Sequence, residues 1–274
     1  MQQKTVLPII IVVTGIALLC VTGLLLAGAG VFTRLNATKA RKFASLGDSY
    51  YHDQQMNEAI VAYSKSLTLF PRQPTVWYSR GCCYFSLKKY EPAIQDSSMA
   101  LSMIDGDGAD NIHERAGLYF MRGCCYMYQH EDRRAIADDK QFMLLKSSED
   151  YIDSMKGDTA RDLAWLLATS PDTNARNGEE ALRYAQFAID ANRITVKKLC
   201  DSRETPPAIS LTLMETLAAA EARACNYPLA VTDQLQVIAQ DQDNQLQDKQ
   251  QHRQRLLLYQ QGKPYTEDYI AKIN

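Results

Sequence analysis

The sequence predicts an all-α chain built from stacked helical hairpins, and three observations support this class. Several residue types return at one constant interval: Gly47 and Gly81, Tyr50 and Tyr84, Ala59 and Ala93, and Leu67 and Leu101. Within each segment the apolar residues recur at spacings of three and four, which places them on one face of a helix. The composition, 46% hydrophobic and 23% charged, is that of a folded protein. Because one helical hairpin cannot bury its apolar face alone, a period of about 34 residues predicts hairpins that stack on one another.

The first 33 residues form a separate segment, because no charged side chain occurs from Thr5 to Thr33. As a helix this stretch would be roughly 40 Å long, which exceeds the ~30 Å hydrocarbon core of a bilayer. We therefore predict a transmembrane helix or signal anchor within residues 1–33, with the membrane contacted by residues 6–28. A cleaved signal peptide is the alternative, since Ala27 to Gly30 are small. The apolar run is nevertheless longer than the ~7–15 residues of a signal peptide.

Charged residues on the two sides of this segment predict its orientation. Lys4 precedes it, whereas four basic residues follow it before the first acidic residue, Asp48: Arg34, Lys39, Arg41 and Lys42. The positive-inside rule then favours a single-pass membrane protein whose large domain is cytoplasmic. An extracytoplasmic, periplasmic-side location is the alternative.

Two helical hairpins follow a short linker, predicted over residues 34–39. In the first hairpin, Gly47 and Ala59 are small where the two helices should approach closely. Pro71 ends its second helix, because proline cannot continue the hydrogen-bond ladder. The second hairpin starts near Pro74 and repeats the same plan.

A third hairpin repeats the second almost literally. Residues 122–126, Arg-Gly-Cys-Cys-Tyr, match residues 80–84. The interval from Gly81 to Gly123 is longer than that from Gly47 to Gly81, so eight residues are inserted, and the glycine-rich stretch 105–111 is the predicted inserted loop.

These hairpins resemble the tetratricopeptide repeat family. The residues that carry the resemblance are Trp77, Gly81, Tyr84 and Ala93, together with Gly47, Tyr50, Ala59 and Pro71. The resemblance implies three repeats over residues 40–149. It also implies a right-handed superhelix whose concave groove binds a peptide or a partner protein.

The second half of the chain matches the pattern less closely. Residues 150–244 are predicted to be degenerate helical pairs of the same type, with a long connection over residues 192–210. Residues 245–274 are predicted to form a capping helix and a tail, since repeat arrays need a polar-faced end.

The family implies that the exposed side of each first helix lines the groove. Carried onto this sequence, the groove residues are Asp48, Tyr51, His52, Tyr78, Cys82, Phe85, Phe120, Cys124, Met127 and Tyr128. Aromatic and sulfur-containing side chains offer large contact areas to a peptide or helix. The open alternative is that an added helix, or the stretch around Ile112, fills this groove from within.

Other classes of function are disfavoured. The formal net charge of −2 gives no electrostatic reason to expect nucleic acid. The four histidines and seven cysteines show no spacing typical of a metal site or a catalytic constellation, so we expect no enzyme activity, no cofactor and no small-molecule substrate. Some family members bind a terminal carboxylate through lysine and asparagine, but Ala44, Asp48, Thr75 and Ser79 stand at those places here. The predicted function is a non-catalytic, membrane-anchored scaffold; the alternative is an exported assembly factor or chaperone with the same groove.

Overall fold

The structure, a computed structural model, describes residues 34–104, 112–145, 150–199, 209–241 and 246–267. Over these ranges it contains eleven helices and no strand. The predicted all-α, helix-turn-helix class is confirmed. The predicted membrane segment and the predicted inserted loop both lie outside the described residues. Among the described helices, none combines the length and apolar character needed to cross a bilayer.

The chain divides into two compact units, one ending at Leu87 and the other starting at Lys88. The first unit contains three helices: α1 (34–52), α2 (Met56–Leu69) and α3 (Pro74–Ser86). The second contains eight: α4 (Tyr90–Leu101), α5 (Ile112–Tyr128), α6 (Asp132–Leu144), α7 (Asp150–Thr169), α8 (Gly178–Leu199), α9 (Leu211–Arg223), α10 (Tyr227–Gln240) and α11 (Leu246–Gln260).

Two predicted irregular segments are helical in the structure. Helix α1 already includes residues 34–39, where a linker was expected. Within it, the hydroxyl of Thr38 donates to the carbonyl oxygen of Arg34 at 3.0 Å, one helical turn earlier. Helix α8 continues to Leu199, into the predicted connection. Both stretches lack apolar periodicity but consist mostly of residues that a helix tolerates, and so periodicity did not reveal them.

The first unit packs around Tyr63. Its buried core consists of Ala59, Tyr63, Leu67, Val76 and Cys83. Helix α3 begins with Pro74, whose missing N–H is not needed at a helix start. The small residues allow the close approach of α1 and α2 that the sequence predicted.

The second unit continues as a series of hairpins. Helix α4 packs against α5, and the pairs α5 with α6, α7 with α8, and α9 with α10 form hairpins. The first helices of the last two pairs, α7 and α9, also contact each other, and α11 packs on α10. The largest apolar cluster joins α6, α7, α8 and α9, and it is rich in alanine.

One polar contact recurs between successive hairpins. Arg80 on α3 donates to the hydroxyl of Ser64 on α2 at 2.9 Å, and Arg122 on α5 donates to the hydroxyl of Ser98 on α4 at 2.9 Å. Ser64 and Ser98 are separated by the regular repeat interval, whereas the interval from Arg80 to Arg122 includes the insertion. The repeat contact therefore survives the eight-residue insertion.

Four of the short turns between successive helices share one backbone feature, which the longer connection between α7 and α8 lacks. A residue other than glycine has a positive φ at Gln54, Lys88, His130 and Cys225, with φ between 56° and 66°. Each lies seven residues after the small residue of its first helix: Gly47, Gly81, Gly123 or Ala218. Helix α11 ends at the same kind of turn, with Gly262 at φ 66°. Helices commonly end at a residue with the left-handed backbone conformation.

Candidate functional site

Three of the predicted groove residues lie together in the first unit. Tyr51 is near the end of α1, and Tyr78 and Cys82 are one turn apart on α3. The pKa of the Tyr51 hydroxyl is raised, first by burial and then by the neighbouring Cys82 and Cys83. Burial also raises the pKa of the Cys82 thiol, and its hydrogen bond with Tyr78 opposes that rise. Tyr51 of α1 and Tyr78 of α3 are therefore both close enough to the Cys82 thiol to interact with it.

The other predicted residues of this unit are placed differently. Tyr63 donates a hydrogen bond to Oδ1 of Asp48 at 2.8 Å, while Asp48 itself remains exposed. Burial, followed by this hydrogen bond, raises the pKa of Tyr63. His52 is exposed and meets the Tyr51 ring edge-on, with centroids 6.3 Å apart. Phe85 is half-buried.

The predicted groove residues of α5 differ in what they contact. The ring of Phe120 lies 6.1 Å from that of buried Phe142 and packs in the same apolar cluster. Met127 packs against the large cluster of α6 to α9. Tyr128, although 59% exposed, stacks on Tyr90 of α4 with ring centroids 4.9 Å apart. Phe120 and Met127 therefore pack against the interior and are also partly exposed to solvent.

Cys124 faces an acidic environment that the sequence did not reveal. Burial, followed by Asp139 and Asp162, raises the pKa of this thiol to about 12. The pKa of Asp139 is itself raised well above its usual range by burial and by Asp162 and Asp138. Asp138 is satisfied by Arg122, which donates to both of its carboxylate oxygens at 2.7 Å. No signal in the sequence distinguished Asp139 from a surface carboxylate, because its neighbour Asp162 is on a different hairpin.

A second polar cluster, also missed from the sequence, forms where the C-terminal segment returns to α7. Trp165 donates its indole N–H to Oε2 of Glu267 at 2.7 Å, across 102 residues of sequence. The guanidinium carbon of Arg255 lies 5.1 Å from the centroid of the Trp165 ring and 4.9 Å from that of the Tyr265 ring. The only hint was the Gly262 to Tyr265 stretch, in which a turn and a proline precede an aromatic residue.

An apolar groove also opens between α1 and α2, with a volume of about 280 Å³. It includes the exposed Leu46 and Val61, and is lined by Phe43, Leu46, Tyr50, Asn57, Glu58, Val61, Ala62 and Lys65. In the described part of the chain no group of three or more His, Cys, Asp or Glu side chains is placed to hold a metal ion. Five cysteines of the described ranges are free thiols: Cys82, Cys83, Cys124, Cys125 and Cys225.

Comparison with known proteins supports the tetratricopeptide resemblance. Residues 74–103, which cover α3 and α4, match the family model described as a tetratricopeptide repeat. The chain is 30% identical over 70 residues to RNA polymerase II-associated protein 3 of Rattus norvegicus and of Mus musculus. That match covers 26% of this chain, and the chain spans only 11% of the length of those relatives.

Two solved structures share the fold. YrrB, a tetratricopeptide protein with an unusual peptide-binding site, aligns with a TM-score of 0.56 at 15% identity, over 74% of this chain and 86% of its own. The C-terminal part of a tetratricopeptide repeat-containing protein from Cytophaga hutchinsonii aligns with a TM-score of 0.50 at 17% identity, over 79% and 71% of the two chains. The chain therefore has the fold of a tetratricopeptide-like helical array.

Proposed function

We propose that the chain is a non-catalytic scaffold that binds a peptide or partner protein through the exposed faces of the first helices of its repeats. The observation that carries this proposal is that Tyr51 on α1 and Tyr78 on α3 both interact with Cys82 and are both accessible to solvent. All three are partly exposed, and Tyr51 is 37% exposed. Tyrosine combines a large apolar area with a hydroxyl, which suits a surface that must be stable both in water and against a partner.

The charges near this surface indicate which partners it favours. Asp48 carries a hydrogen bond from Tyr63 and lies one turn from Tyr51. A carboxylate at this place repels an acidic C-terminal tail and attracts a basic or neutral segment. We therefore propose an apolar or basic peptide segment as the ligand of the α1 and α3 face. Phe85 belongs to the same proposed surface, and the predicted residues of α5 form a proposed binding face of the second unit, considered by itself.

A membrane anchor is the second part of the proposal. Residues 6–28 contain no charged side chain, which supports a membrane-spanning segment ahead of the helical array. The basic residues after it favour a cytoplasmic array. An alkaline-phosphatase-type reporter fused after Asn274 separates the two orientations, because it is active only on the exported side. Activity of this fusion would favour the exported assembly factor or chaperone instead.

Site-specific crosslinking tests the binding face. A photoreactive phenylalanine analogue replaces Tyr51 or Tyr78, and as the matched control it replaces Val61, which is exposed on the α1 and α2 groove. We expect one and the same crosslinked partner from positions 51 and 78. With that partner purified, Tyr51→Ala combined with Tyr78→Ala should weaken binding by about tenfold or more, while Val61→Ala leaves it unchanged. An equal loss in the Val61 variant, or no loss in the double variant, would reject the face as the binding site.

A further inference from the structure

The last described segment of the chain, residues 263–267, lies on α7 and α9 without helical structure. After each earlier left-handed turn a second helix follows, but after Gly262 the chain continues without one to Glu267. Pro264 favours this non-helical course, because proline has no N–H to donate in the interior of a helix. Glu267 is 8% exposed, so this residue is buried rather than in solvent.

Main-chain contacts hold this segment in place. The N–H of Glu267 donates to the carbonyl oxygen of Thr169, at the end of α7, at 2.7 Å. Arg223, at the end of α9, donates through Nη2 to the carbonyl oxygen of Tyr265 at 2.7 Å. Its Nε donates to the carbonyl oxygen of Ala168, which fixes the guanidinium against α7. All peptides carry main-chain N–H and carbonyl groups. Another extended peptide that follows the same path could therefore make these same main-chain hydrogen bonds.

Side-chain contacts add specificity at alternate residues. Tyr265 and Glu267 both meet Trp165: the two rings have centroids 6.2 Å apart, and the indole N–H donates to the Glu267 carboxylate. Thr266, between them, instead accepts a hydrogen bond from Arg223 at 3.1 Å. In an extended chain, residues two apart lie on the same side. The surface therefore recognises an aromatic residue, any residue that can face Arg223, and an acidic residue, in that order.

The charges around this surface also favour an acidic ligand. Arg176 lies close enough to Arg223 to help lower its pKa, after the larger effect of burial, so two guanidinium groups share this region. Arg255 is the third cation, and it pairs with Glu215, which also lies 2.6 Å from His252. A ligand carboxylate that reaches Trp165 is therefore near three arginine side chains and one glutamate, and this balance favours a negative charge.

From these contacts we infer that the face formed by α7 and α9 is a peptide-binding site, which the chain occupies with its own residues Tyr265 to Glu267. Its external ligand is an extended protein segment with an aromatic residue followed, two positions later, by an acidic residue. Such a segment replaces the chain's own tail. This site lies wholly within the second unit and shares no residue with the face of α1 and α3.

A tethered tail competes strongly with a free peptide, because a short connection gives it an effective concentration in the millimolar range. The test therefore uses a variant whose own tail binds the site less tightly. The probe is a fluorescent peptide with the sequence of residues 262–267, blocked at both ends, and binding is measured by anisotropy. We expect the full chain carrying Tyr265→Ala and Glu267→Ala to bind this probe about tenfold more tightly than the unaltered chain.

Two controls establish where the probe binds. A probe with alanine in place of its tyrosine and glutamate should bind the tail variant about tenfold more weakly. Adding Trp165→Phe, which keeps an aromatic ring but removes the N–H donor, should also weaken the original probe. Equal binding to the tail variant and the unaltered chain, or no effect of Trp165→Phe, would overturn the inference.

A second measurement covers the case in which the tail variant loses its fold. In the unaltered chain, hydrogen exchange of residues 263–267 is followed by mass spectrometry while the unlabelled probe is added to a few millimolar, the range of the tether's effective concentration. The probe should accelerate exchange in this segment, because it displaces the Glu267 N–H from the Thr169 carbonyl. Unchanged exchange at that concentration would contradict the proposal independently of any variant.

Discussion

The ring of Tyr63 occupies the space that Gly47 leaves free on α1. A Cβ atom at Gly47 would lie 2.5 Å from Cε1 of Tyr63, which no packed structure tolerates. The ring cannot easily move, because Tyr63 is 1% exposed and its hydroxyl is hydrogen-bonded to Asp48. The glycine of the repeat therefore has a defined neighbour in this hairpin.

Substitution Gly47→Ala should lower the free energy of unfolding of the first unit. Overpacking costs about 1–3 kcal/mol, and the better helix propensity of alanine returns up to ~1 kcal/mol. Urea denaturation followed by circular dichroism measures the net loss. In a Tyr63→Leu background, where the ring is absent, the same substitution should cost less; an undiminished loss would show that the ring is not the cause.

Stability should decrease with rising pH because of Glu221. Burial and the neighbouring Asp233 raise the pKa of this carboxyl in the folded state. A raised pKa means that the folded state holds a proton that the unfolded state releases near pH 4.3, so the stabilisation is complete below that pH and is lost as pH rises through the folded pKa.

Glu221→Gln should remove that pH dependence, since an amide keeps a hydrogen-bond donor at every pH. At pH 8 we expect the variant to exceed the unaltered chain by on the order of 1 kcal/mol in unfolding free energy, and the difference should shrink toward pH 4. Urea titrations at several pH values measure this. Parallel pH profiles for the two proteins would be inconsistent with a proton held at Glu221.

Breaking the ion pair between Arg122 and Asp138 should be costly. The side chains of Arg122 and Asp138 are 19% and 6% exposed, so Asp138→Asn leaves a largely buried guanidinium without its anionic partner. Loss of one partner of such a pair costs about 3 kcal/mol. The matched control is Asp158→Asn, because Asp158 pairs with Arg161 but is 67% exposed; its effect should stay below ~1 kcal/mol. Similar losses for both variants in urea denaturation would contradict this ranking.

The cysteines should differ in reactivity according to their burial. Cys225 is exposed, whereas the thiol of Cys124 has a pKa raised to about 12 by burial, Asp139 and Asp162. At pH 8 this leaves so little thiolate that Cys124 should react with iodoacetamide one to two orders of magnitude more slowly than an ordinary thiol. Peptide mass mapping of alkylation against time measures each rate, and urea should abolish the difference. Fast alkylation of Cys124 in the folded protein would be the contrary result.

The fold could be predicted from local sequence patterns, whereas much of the candidate site could not. Gly47, Gly81 and Gly123 identified the hairpins, since close packing of two helices demands a small residue at a fixed place. What fills the space beside the glycine is free to vary: Tyr63 lies against Gly47, and the buried Asp139, at the equivalent position of its own hairpin, lies against Gly123. A pattern of residue types therefore predicted the architecture but could not predict a buried carboxyl.

Long-range contacts could not be predicted from the sequence for a similar reason. Trp165 and Glu267 are far apart in the chain, and neither belongs to a repeat motif. Phe120 was expected to line a groove because of its place on the helix, yet Phe142 from the next helix packs near it. Periodicity specifies which face of a helix is apolar, but it does not specify which neighbour covers that face.

The left-handed turns within the hairpins offer a common position for spectroscopic probes. Gln54, Lys88, His130 and Cys225 share one backbone geometry, and all four side chains are exposed. Cys225 already provides a thiol at one of these positions. Moving that label to Gln54, Lys88 or His130 would report on each of these four turns from an equivalent place, so the order in which the adjoining helices melt could be compared on one scale.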